Sequence, residues 1–324
     1  QKLRSAGIKI SPENLKISDK AIITMPYNVL QDIMEEDRLA KATGKPYGST
    51  RRGIAPVYAD KYLKKAFRMG ELLNLDLLYK RLPDIVDWKN MTIKAYGFTP
   101  ISVEDMKAYF EEYGAILKDY IIDVGMYLNK ANAEGKKIMF EAQLGALRDI
   151  DYGIVPYTSS SSTIAAYAPI GAGVPNLKLD KSIGIMKAYS SCVGGEYGAA
   201  TGRPRRVGPF DAVASRYGIM CQGADEIALT KLDVLDSYEE IEICTHYELD
   251  GKIIDHFPFT DVLDLCKPVF EKVKGWNCDI SHCRKAEDLP KEALDYIRLL
   301  EKLCGCKIKY VSVGAERDAC IVMD

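Results

Sequence analysis

A repeated order of helix, glycine and strand constrains the fold of this chain more than any other feature of its sequence. Residues 211–222 have a helical pattern, Gly223 can end that helix, and residues 226–230 form a strand-like apolar run. The order returns in residues 290–313, where Gly305 separates helix from strand. Glycine ends helices because it adopts the left-handed conformation without strain, and such units build parallel sheets. The pattern predicts an α/β protein.

The first half of the chain has a similar but less regular pattern. Residues 115–134 are predicted as a helix ended by Gly135, and residues 137–140 as the strand that follows. Residues 21–25 are predicted as a short strand and residues 27–40 as an amphipathic helix.

An antiparallel hairpin is predicted near the centre of the second half. Apolar side chains alternate over residues 241–247, Asp250-Gly251 is a turn signal, and residues 252–254 return. No repeat or linker-like change in composition divides the chain. We therefore expect one large α/β domain over residues 1–324, with a mostly parallel central sheet, helices on both faces and a small antiparallel insertion.

Charge and cysteine content limit the possible partners and location. With 44 Lys and Arg against 46 Asp and Glu, the formal net charge is -2, which gives no overall attraction to nucleic acid or anionic membranes. No run approaches the ~18 apolar residues of a membrane span. An odd number of cysteines, 9, in a long chain is typical of reduced thiols. We expect a cytoplasmic protein with neither nucleic-acid nor membrane partners.

Residues 198–208 form a loop rich in small and basic residues. Its small residues allow close approach of the backbone to a ligand, and Arg203, Arg205 and Arg206 offer planar forks suited to carboxylate or phosphate. The sequence indicates an anion site here. The alternative is a glycine-rich surface loop with solvated arginines.

Two loops that follow apolar runs suggest a purine site. Thr230-Lys231-Leu232-Asp233 resembles the guanine-reading Asn-Lys-x-Asp of GTP-binding proteins, with Thr for Asn. Its aspartate could accept hydrogen bonds from guanine N1 and N2. Ser312-Val313-Gly314 is a second short loop that could close over a base. The alternative for the first loop is a pair of solvated charges after a strand.

Hydroxyl-rich stretches supply further candidates for anion binding. Hydroxyls and arginines lie between Gly48 and Gly53 and could hold a phosphate, although a polar connecting loop is the alternative. Residues 158–163 are all Ser or Thr, but their apolar flanks place them within the fold. Residues 141–145 follow a predicted strand, where open α/β sheets bind ligands.

Several motifs occur in one order along nearly the whole chain. They are Gly53-Ile54-Ala55-Pro56 with Tyr58 and Lys61, Asp149-Ile150-Asp151 with Gly153 and Pro156, Lys187-Ala188-Tyr189, residues 198–206 with Asp211-Ala212-Val213-Ala214, and Ala228-Leu229-Thr230-Lys231-Leu232-Asp233-Val234-Leu235-Asp236. As a set they resemble the adenylosuccinate synthetase family. The resemblance implies a GTP-dependent ligase that joins L-aspartate to IMP with Mg²⁺, in the first committed step of AMP synthesis, and that acts as a homodimer in the cytoplasm.

The resemblance also implies roles for individual residues. The IMP-binding residues would be Thr50, Lys64, Gln143, Leu144, Ser159 and Arg203, where either Gln143 or Leu144 takes the place of one family glutamine. The aspartate-binding residues would be Ala200, Thr201, Gly202, Arg203, Pro204 and Arg205. The GTP-binding residues would be Arg205, Lys231, Leu232, Asp233, Ser312, Val313 and Gly314.

Some positions depart from the family pattern. Ala200 replaces a threonine and Pro204 an arginine, Lys64 replaces an arginine that would reach IMP across a dimer interface, and Ser159 replaces a threonine but keeps the hydroxyl. The family's phosphate-binding glycine loop and its catalytic base and acid would all precede Gln1. We therefore assign no catalytic residue or metal ligand within this sequence, and expect it to belong to a longer, N-terminally extended synthetase.

Two other functions remain open at this point. A binding protein derived from the synthetase fold would bind GTP and IMP without turnover. An unrelated GTP switch would use only residues 230–233, and would leave the arginines of residues 203–206 and the region of Ser159 without a purpose.

Overall fold

The structure is a computed structural model that describes residues 2–44, 46–197 and 204–324. Contacts within the chain divide it into two compact units. The first unit comprises Gln1–Glu141, Ser159–Ser161 and Ala168–Leu177, and the second unit comprises Ala142–Thr158, Ser162–Tyr167 and Lys178–Asp324. The expected organisation of residues 1–324 as a single domain stays a prediction.

The first unit is mostly helical. Its helices are α1 (Lys2–Ser5), α2 (Pro26–Thr43), α3 (Ile54–Tyr62), α4 (Leu75–Ala95), α5 (Val103–Leu117), α6 (Val124–Ala133) and, but for its first residue, α7 (Tyr167–Gly171). Two short strands, β1 (Ile17–Ser18) and β2 (Ile121–Ile122), pair in parallel. The buried core is shared by helices α2, α4 and α5 and includes Tyr27, Met34, Leu78, Leu82, Ile93 and Phe110.

Helix α2 confirms the amphipathic helix predicted for residues 27–40. Pro26 occupies the first position, where its missing N–H is no loss, and the Asn28 side chain accepts a hydrogen bond from Met25 N at 2.9 Å. Gly44 ends the helix in the left-handed conformation at φ 68°. Local signals therefore set both ends of this helix.

A buried ion pair connects three helices of the first unit. Lys89 Nζ on α4 lies 2.5 Å from Asp60 Oδ1 on α3, and both side chains are 2% exposed. On α2, Asn28 Nδ2 donates to Asp60 Oδ2 at 2.7 Å and Gln31 Oε1 accepts from Lys89 at 2.8 Å. Burial lowers the pKa of the Lys89 ammonium, and the hydrogen bond to Asp60 opposes that effect. The four polar groups satisfy one another away from water.

The helix predicted over residues 115–134 is wrong, because the chain changes conformation twice within it. Helix α5 ends at Leu117, β2 follows, and α6 begins only after Asp123, whose Oδ1 accepts a hydrogen bond from Met126 N at 2.8 Å. Ile121 pairs with Ile17 of β1. A helix cap and a distant strand partner together override the local helical preference.

The strands predicted over residues 137–140 and 21–25 are also wrong. Residues 137–140 have no regular secondary structure and lie in no sheet, and Met139 is 88% exposed. Residues 21–25 contribute only an isolated bridge between Ile22 and Arg68. Residues 137–140 have no neighbouring strand to bond their backbone groups. Residues 21–25 bond to residues 67–69, through Ile23 N to Phe67 O and Met69 N to Ala21 O, but the paired stretch is too short to form a strand.

The second unit contains two larger sheets. Its elements are β3 (Ile183–Lys187), β4 (Ser190–Tyr197), β5 (Pro204–Gly208), β6 (Phe210–Asp211), α8 (Ala212–Gln222), β7 (Glu226–Thr230), β8 (Glu240–Leu249), β9 (Lys252–Ile254), α9 (Thr260–Leu263), β10 (Lys267–Lys274), α10 (Lys291–Cys304), β11 (Lys307–Ser312) and β12 (Cys320–Val322). Among the described residues of both units, no helix is long and apolar enough to cross a bilayer.

The principal sheet is mostly parallel and confirms the predicted α/β class. Its strand order is β12-β11-β7-β3, in which β11, β7 and β3 are parallel and β12 is antiparallel. Helix α8 ends at Gly223, which is left-handed, and β7 follows, as predicted. Helix α10 and β11 repeat this order around Gly305, although Pro290 precedes the helix rather than lying in its first turn.

The second sheet contains the predicted hairpin. Strands β8 and β9 are antiparallel around Asp250 and Gly251, whose φ angles of 52° and 75° fit the tight turns that connect such strands. Strand β10 also pairs antiparallel with β8, and β6 pairs with β8 in parallel. The antiparallel part of the fold therefore adjoins the strand that leads into α8.

Lys89→Met should destabilise the protein by about 3–5 kcal/mol, because it leaves the Asp60 carboxylate buried without its cation. Urea denaturation of the variant measures the loss. The double variant Asp60→Leu/Lys89→Met should recover much of it, since no charge then remains buried.

The matched control is Asp84→Asn, which disrupts an exposed pair 3.8 Å from Lys65. Asp84 is 83% exposed, so the change should be within about 0.5 kcal/mol. If Lys89→Met costs no more than this control, the buried pair does not stabilise the first unit.

Candidate nucleotide site

Parallel pairing brings the two proposed base-binding loops to one edge of the principal sheet. Val311 of β11 is the register partner of Leu229 of β7, so both strands end at the same edge. β7 leads into Lys231-Leu232-Asp233, and β11 leads into Ser312-Val313-Gly314. The carboxyl ends of parallel strands are where open α/β sheets bind ligands.

The loop after β7 contains a fully buried side chain, Leu232, and a carboxylate, that of Asp233, that could bind a ligand. Lys231 is left-handed at φ 60°, which turns the chain so that Leu232 is fully buried. Asp233 is half-buried, and within the described residues its carboxylate makes no hydrogen bond or ion pair. A partly desolvated carboxylate without an internal partner can accept two N–H groups from a ligand.

The far end of the same loop is held by Asp236. Its two carboxylate oxygens accept hydrogen bonds from Trp276 Nε1 at 2.8 Å and from Ile280 N at 3.1 Å. Burial raises the pKa of Asp236, and these two bonds oppose the rise. Asp236 therefore fixes the loop while Asp233, three residues earlier, remains available.

The loop after β11 is closed by short contacts. Ser312 Oγ donates to Gly314 O at 2.8 Å, and Val313 N donates to Ala319 O at 3.0 Å. A Cβ added at Gly314 would lie 3.2 Å from Ala319 Cβ, which is tighter than most contacts. These contacts leave the loop little freedom to change its conformation. The pairing of β11 with β7 therefore sets its position at the edge that also holds Lys231.

The structure adds Lys187 to this edge. Lys187 ends β3 and pairs in register with Thr230 of β7, while its Nζ donates to Ser191 Oγ at 2.6 Å. Sequence reasoning used Lys187 only as part of a family motif. The feature that could have identified Lys187 as a candidate site residue is its position at the end of a strand in the same parallel sheet.

The residues predicted to bind aspartate lie between and within strands β4 and β5, which the structure describes only in part. Strands β4 and β5 are antiparallel, with Tyr197 opposite Pro204 and Glu196 opposite Arg205. The predicted site residues Ala200, Thr201, Gly202 and Arg203 lie outside the described residues.

The base of this hairpin continues into a firmly held helix. Asp211 caps α8 by accepting a hydrogen bond from Ala214 N at 2.9 Å, and its other oxygen accepts from Tyr247 Oη at 2.6 Å. Burial first, and then the Asp211 charge, raise the pKa of the Tyr247 hydroxyl, which therefore stays a donor. The hairpin is anchored to β8 through this contact.

Gln143 and Leu144, the candidate IMP residues described in the second unit, precede a loop closed by Asp149. Asp149 is 1% exposed, and it accepts backbone N–H groups from Asp151, Tyr152 and Thr163 at 2.9, 3.1 and 2.6 Å. Thr163 Oγ1 donates to Gly145 O at 2.8 Å. The hydroxyl run that ends at Thr163 thus lies within the fold, as expected, rather than in a flexible linker.

Gln143 and Leu144 precede this closed loop and are both exposed. Leu144 is left-handed at φ 72°, a conformation that is strained for a branched side chain. The strand expected before them is absent, so they lie in a loop and not at a strand end. Which of the two would contact IMP stays open.

Three candidate IMP residues lie in the first unit. Thr50 is an exposed residue between Gly48 and Gly53, and Lys64 is exposed just after α3, left-handed at φ 61°. Ser159 is half-buried, with its hydroxyl 3.0 Å from that of Ser161. Each of these side chains can contact a phosphate by its chemistry, Thr50 and Ser159 as hydroxyl donors and Lys64 as a cation.

The sequence matches the family described as adenylosuccinate synthetase over residues 1–321. The adenylosuccinate synthetase of Gloeothece citriformis is 39% identical over 98% of this chain and 75% of its own length. That of Caldanaerobacter subterraneus is 38% identical over 99% of this chain and 79% of its own length. Both relatives are thus matched along almost the whole of the present sequence.

Solved structures agree with these matches. The fully ligated adenylosuccinate synthetase of Plasmodium falciparum superimposes with a TM-score of 0.92 at 31% identity, covering 100% of this chain and 81% of the other. A succinoaminodeoxyadenylate synthetase of cyanophage S-2L, at 13% identity and a TM-score of 0.51, shares the fold alone. On the sequence matches and the close superposition, the chain belongs to the adenylosuccinate synthetase family of ligases.

Proposed function

We propose that this protein joins L-aspartate to inosine monophosphate (IMP) at the expense of GTP, giving adenylosuccinate, GDP and phosphate. The observation that carries the proposal is the edge of the principal sheet, where the loop of Lys231 to Asp233 and the loop of Ser312 to Gly314 both follow parallel strands, and where the half-buried Asp233 carboxylate has no partner among the described residues. Family membership supports the reaction, and we propose that its purine nucleotide binds at this edge. The reaction is the first committed step of AMP synthesis.

Asp233 would read the guanine base. Its carboxylate can accept hydrogen bonds from both N1–H and N2–H of guanine, and Lys231 can cover the ring face. Adenine offers neither donor in that arrangement, so binding ATP would leave the carboxylate desolvated and unpaired at a cost of roughly 1–3 kcal/mol. Leu232 holds the loop, and Ser312, Val313 and Gly314 close over the other side.

IMP and aspartate would be bound mainly as anions. Thr50 and Ser159 are proposed to donate to the 5′-phosphate, with Lys64 as a further cation and Gln143 or Leu144 against the nucleotide. Arg203 and Arg205, with Thr201, would neutralise the aspartate carboxylates and leave its amine free to react. Arg203 would also contact IMP and Arg205 the GTP side.

The chemistry proceeds in two steps. GTP first transfers its γ-phosphoryl group to the 6-oxygen of IMP, which converts a poor leaving group into a good one. The aspartate amine then attacks C6 and phosphate leaves. The residues of this chain bind and orient the three substrates, since proximity alone contributes much of such an acceleration. No residue of the chain is assigned as general acid or base, and His246, His256 and His282 lie on β8 or in loops.

Mg²⁺ would neutralise the phosphates of GTP when bound. Among the described residues no three metal-ligating side chains lie together. We propose that the ion is held largely by substrate phosphates and water. We further propose a homodimer in the cytoplasm; the eight cysteines whose side chains the structure describes are free thiols, as in a reducing compartment.

Incubation of the protein with GTP, IMP, aspartate and Mg²⁺ should form adenylosuccinate, and omission of any one substrate should abolish the product. The absorbance of adenylosuccinate follows the reaction directly. Binding of GTP and IMP without turnover would contradict the proposed ligase activity and favour a binding protein of the same fold.

Asp233→Asn should raise the KM for GTP by roughly tenfold or more, because the amide cannot accept both guanine N–H groups. Its kcat and its KM for IMP should change little, since base binding is the same in the ground and transition states. Steady-state kinetics with each substrate varied in turn checks this. Asp255→Asn, an 82% exposed carboxylate, is the matched control and should resemble the wild type. An unchanged KM for GTP in Asp233→Asn would remove Asp233 from the guanine site.

A further inference from the structure

Two buried carboxylates of helix α2 hold the loop of residues 48–53, which we call the Thr50 loop. Asp32 is 5% exposed and Glu36 is 4% exposed. Asp32 Oδ1 accepts the Ser49 hydroxyl at 2.6 Å and its Oδ2 accepts Gly53 N–H at 2.8 Å. Glu36 Oε2 accepts Gly48 N–H at 3.0 Å. Both ends of the loop are therefore bonded to one helix.

The spacing of the two carboxylates explains how one helix can do this. Residues four apart lie on the same helix face, so Asp32 and Glu36 both point at the loop. Within the described residues neither carboxylate forms an ion pair. Both accept hydrogen bonds instead, from the Ser49 hydroxyl and from the backbone N–H groups of Gly48 and Gly53. Hydrogen bonds to an ionised carboxylate are shorter and stronger than neutral ones, which makes this attachment firm.

Ser49 extends the attachment further into the loop. Its hydroxyl accepts Arg51 N–H at 3.0 Å while donating to Asp32, so a chain of bonds runs from Arg51 through Ser49 to the carboxylate. Gly53 is left-handed at φ 78°, and a Cβ there would lie 2.8 Å from the backbone of Asn28 and Val29. The end of the loop thus packs directly on the first turns of α2.

This arrangement leaves Thr50 facing outward. In the part of the chain that the structure describes, neither Thr50 nor Arg52 makes a hydrogen bond or ion pair, and both are exposed. The donors of Gly48, Ser49 and Gly53 are engaged by the carboxylates. The side-chain donors that remain to meet an anion are therefore the Thr50 hydroxyl and the Arg52 guanidinium.

We propose that Asp32 is a positioning residue for the 5′-phosphate of IMP. It does not contact the nucleotide. It fixes Ser49 and Gly53 on either side of Thr50, so that the Thr50 hydroxyl is oriented before IMP binds and no ordering of the loop is needed on binding. This inference rests on the proposed function, in which Thr50 contacts that phosphate.

Calorimetric titration with IMP tests the proposal. Asp32→Asn should weaken IMP binding roughly tenfold, because the amide cannot accept from both Ser49 and Gly53. Thr50→Ala should also weaken binding. If Asp32 acts through Thr50, the double variant should lose little more than Thr50→Ala alone, whereas independent effects would multiply.

Steady-state kinetics separates positioning from a general loss of structure. In Asp32→Asn the KM for IMP should rise while the KM values for GTP and aspartate stay near those of the wild type. Ser49→Ala keeps the carboxylate but removes one donor and should give a smaller increase of the same kind, so it serves if Asp32→Asn fails to fold. Circular dichroism checks the fold of every variant. Glu35→Gln, on the same helix but with its side chain 42% exposed and bonded to Arg38, should bind IMP normally.

The outcomes distinguish the inference from the proposed function. A wild-type protein that binds no IMP overturns both. A wild type that binds IMP, with a folded Asp32→Asn variant of equal affinity, overturns the positioning role alone. Multiplicative losses in the double variant also overturn it, because Asp32 would then act independently of Thr50.

Discussion

Backbone pairing among the three parallel strands β3, β7 and β11 is the interaction on which the candidate site depends. It aligns the ends of the strands, and so places Lys187, the loop of Lys231 to Asp233 and the loop of Ser312 to Gly314 at one edge. These three segments lie far apart in the sequence. No pattern within any one of them predicts that the other two lie at the same edge. Strand pairing sets the relative positions of the three segments, and their side chains provide the groups that could bind a ligand.

Buried and half-buried carboxylates fix the conformation of loops in both units. Asp32, Asp149, Asp211 and Asp236 each accept two or more hydrogen bonds, at least one from a backbone N–H. An ionised carboxylate in a nearly dry environment is stable only when donors surround it, so each one dictates where several loop residues must lie. The loops around the proposed ligands are shaped in this way without regular secondary structure.

The parts of the fold that sequence predicted well are those set by local signals. Helix α2, the hairpin of β8 and β9, and the two helix–glycine–strand units around Gly223 and Gly305 were found from periodicity and turn residues. The helix over residues 115–134 failed because its interruption depends on β1, a strand of two residues about a hundred positions earlier. No local pattern could reveal that partner. The predictions of strands over residues 137–140 and 21–25 failed because neither run pairs with a strand of the described sheets.

Sequence predicted some residues of the candidate site and not others, because the position of the others depends on contacts between distant parts of the chain. The two proposed base loops were expected after apolar strands, and the structure places them there, but their binding roles stay predictions, as do those of Thr50, Lys64 and Ser159, which the family resemblance named. Sequence reasoning did not propose Lys187 as a site residue because its position at the same sheet edge depends on strand register. Asp32 was missed because a buried aspartate within an amphipathic helix looks like any polar residue until its partners are known.

The placement of the two tryptophans has an optical consequence. The chain has only 2 of them. Trp88 lies in the first unit, with the ammonium groups of Lys65 and Lys89 at 4.8 and 5.0 Å from the centroid of its ring. Trp276 lies in the second unit and donates a hydrogen bond to Asp236. Indole emission responds to nearby charge, so each unit contains one native fluorophore in a distinct electrostatic setting. A variant that lacks one of the two tryptophans would therefore report on a single unit through its indole emission, without any attached dye.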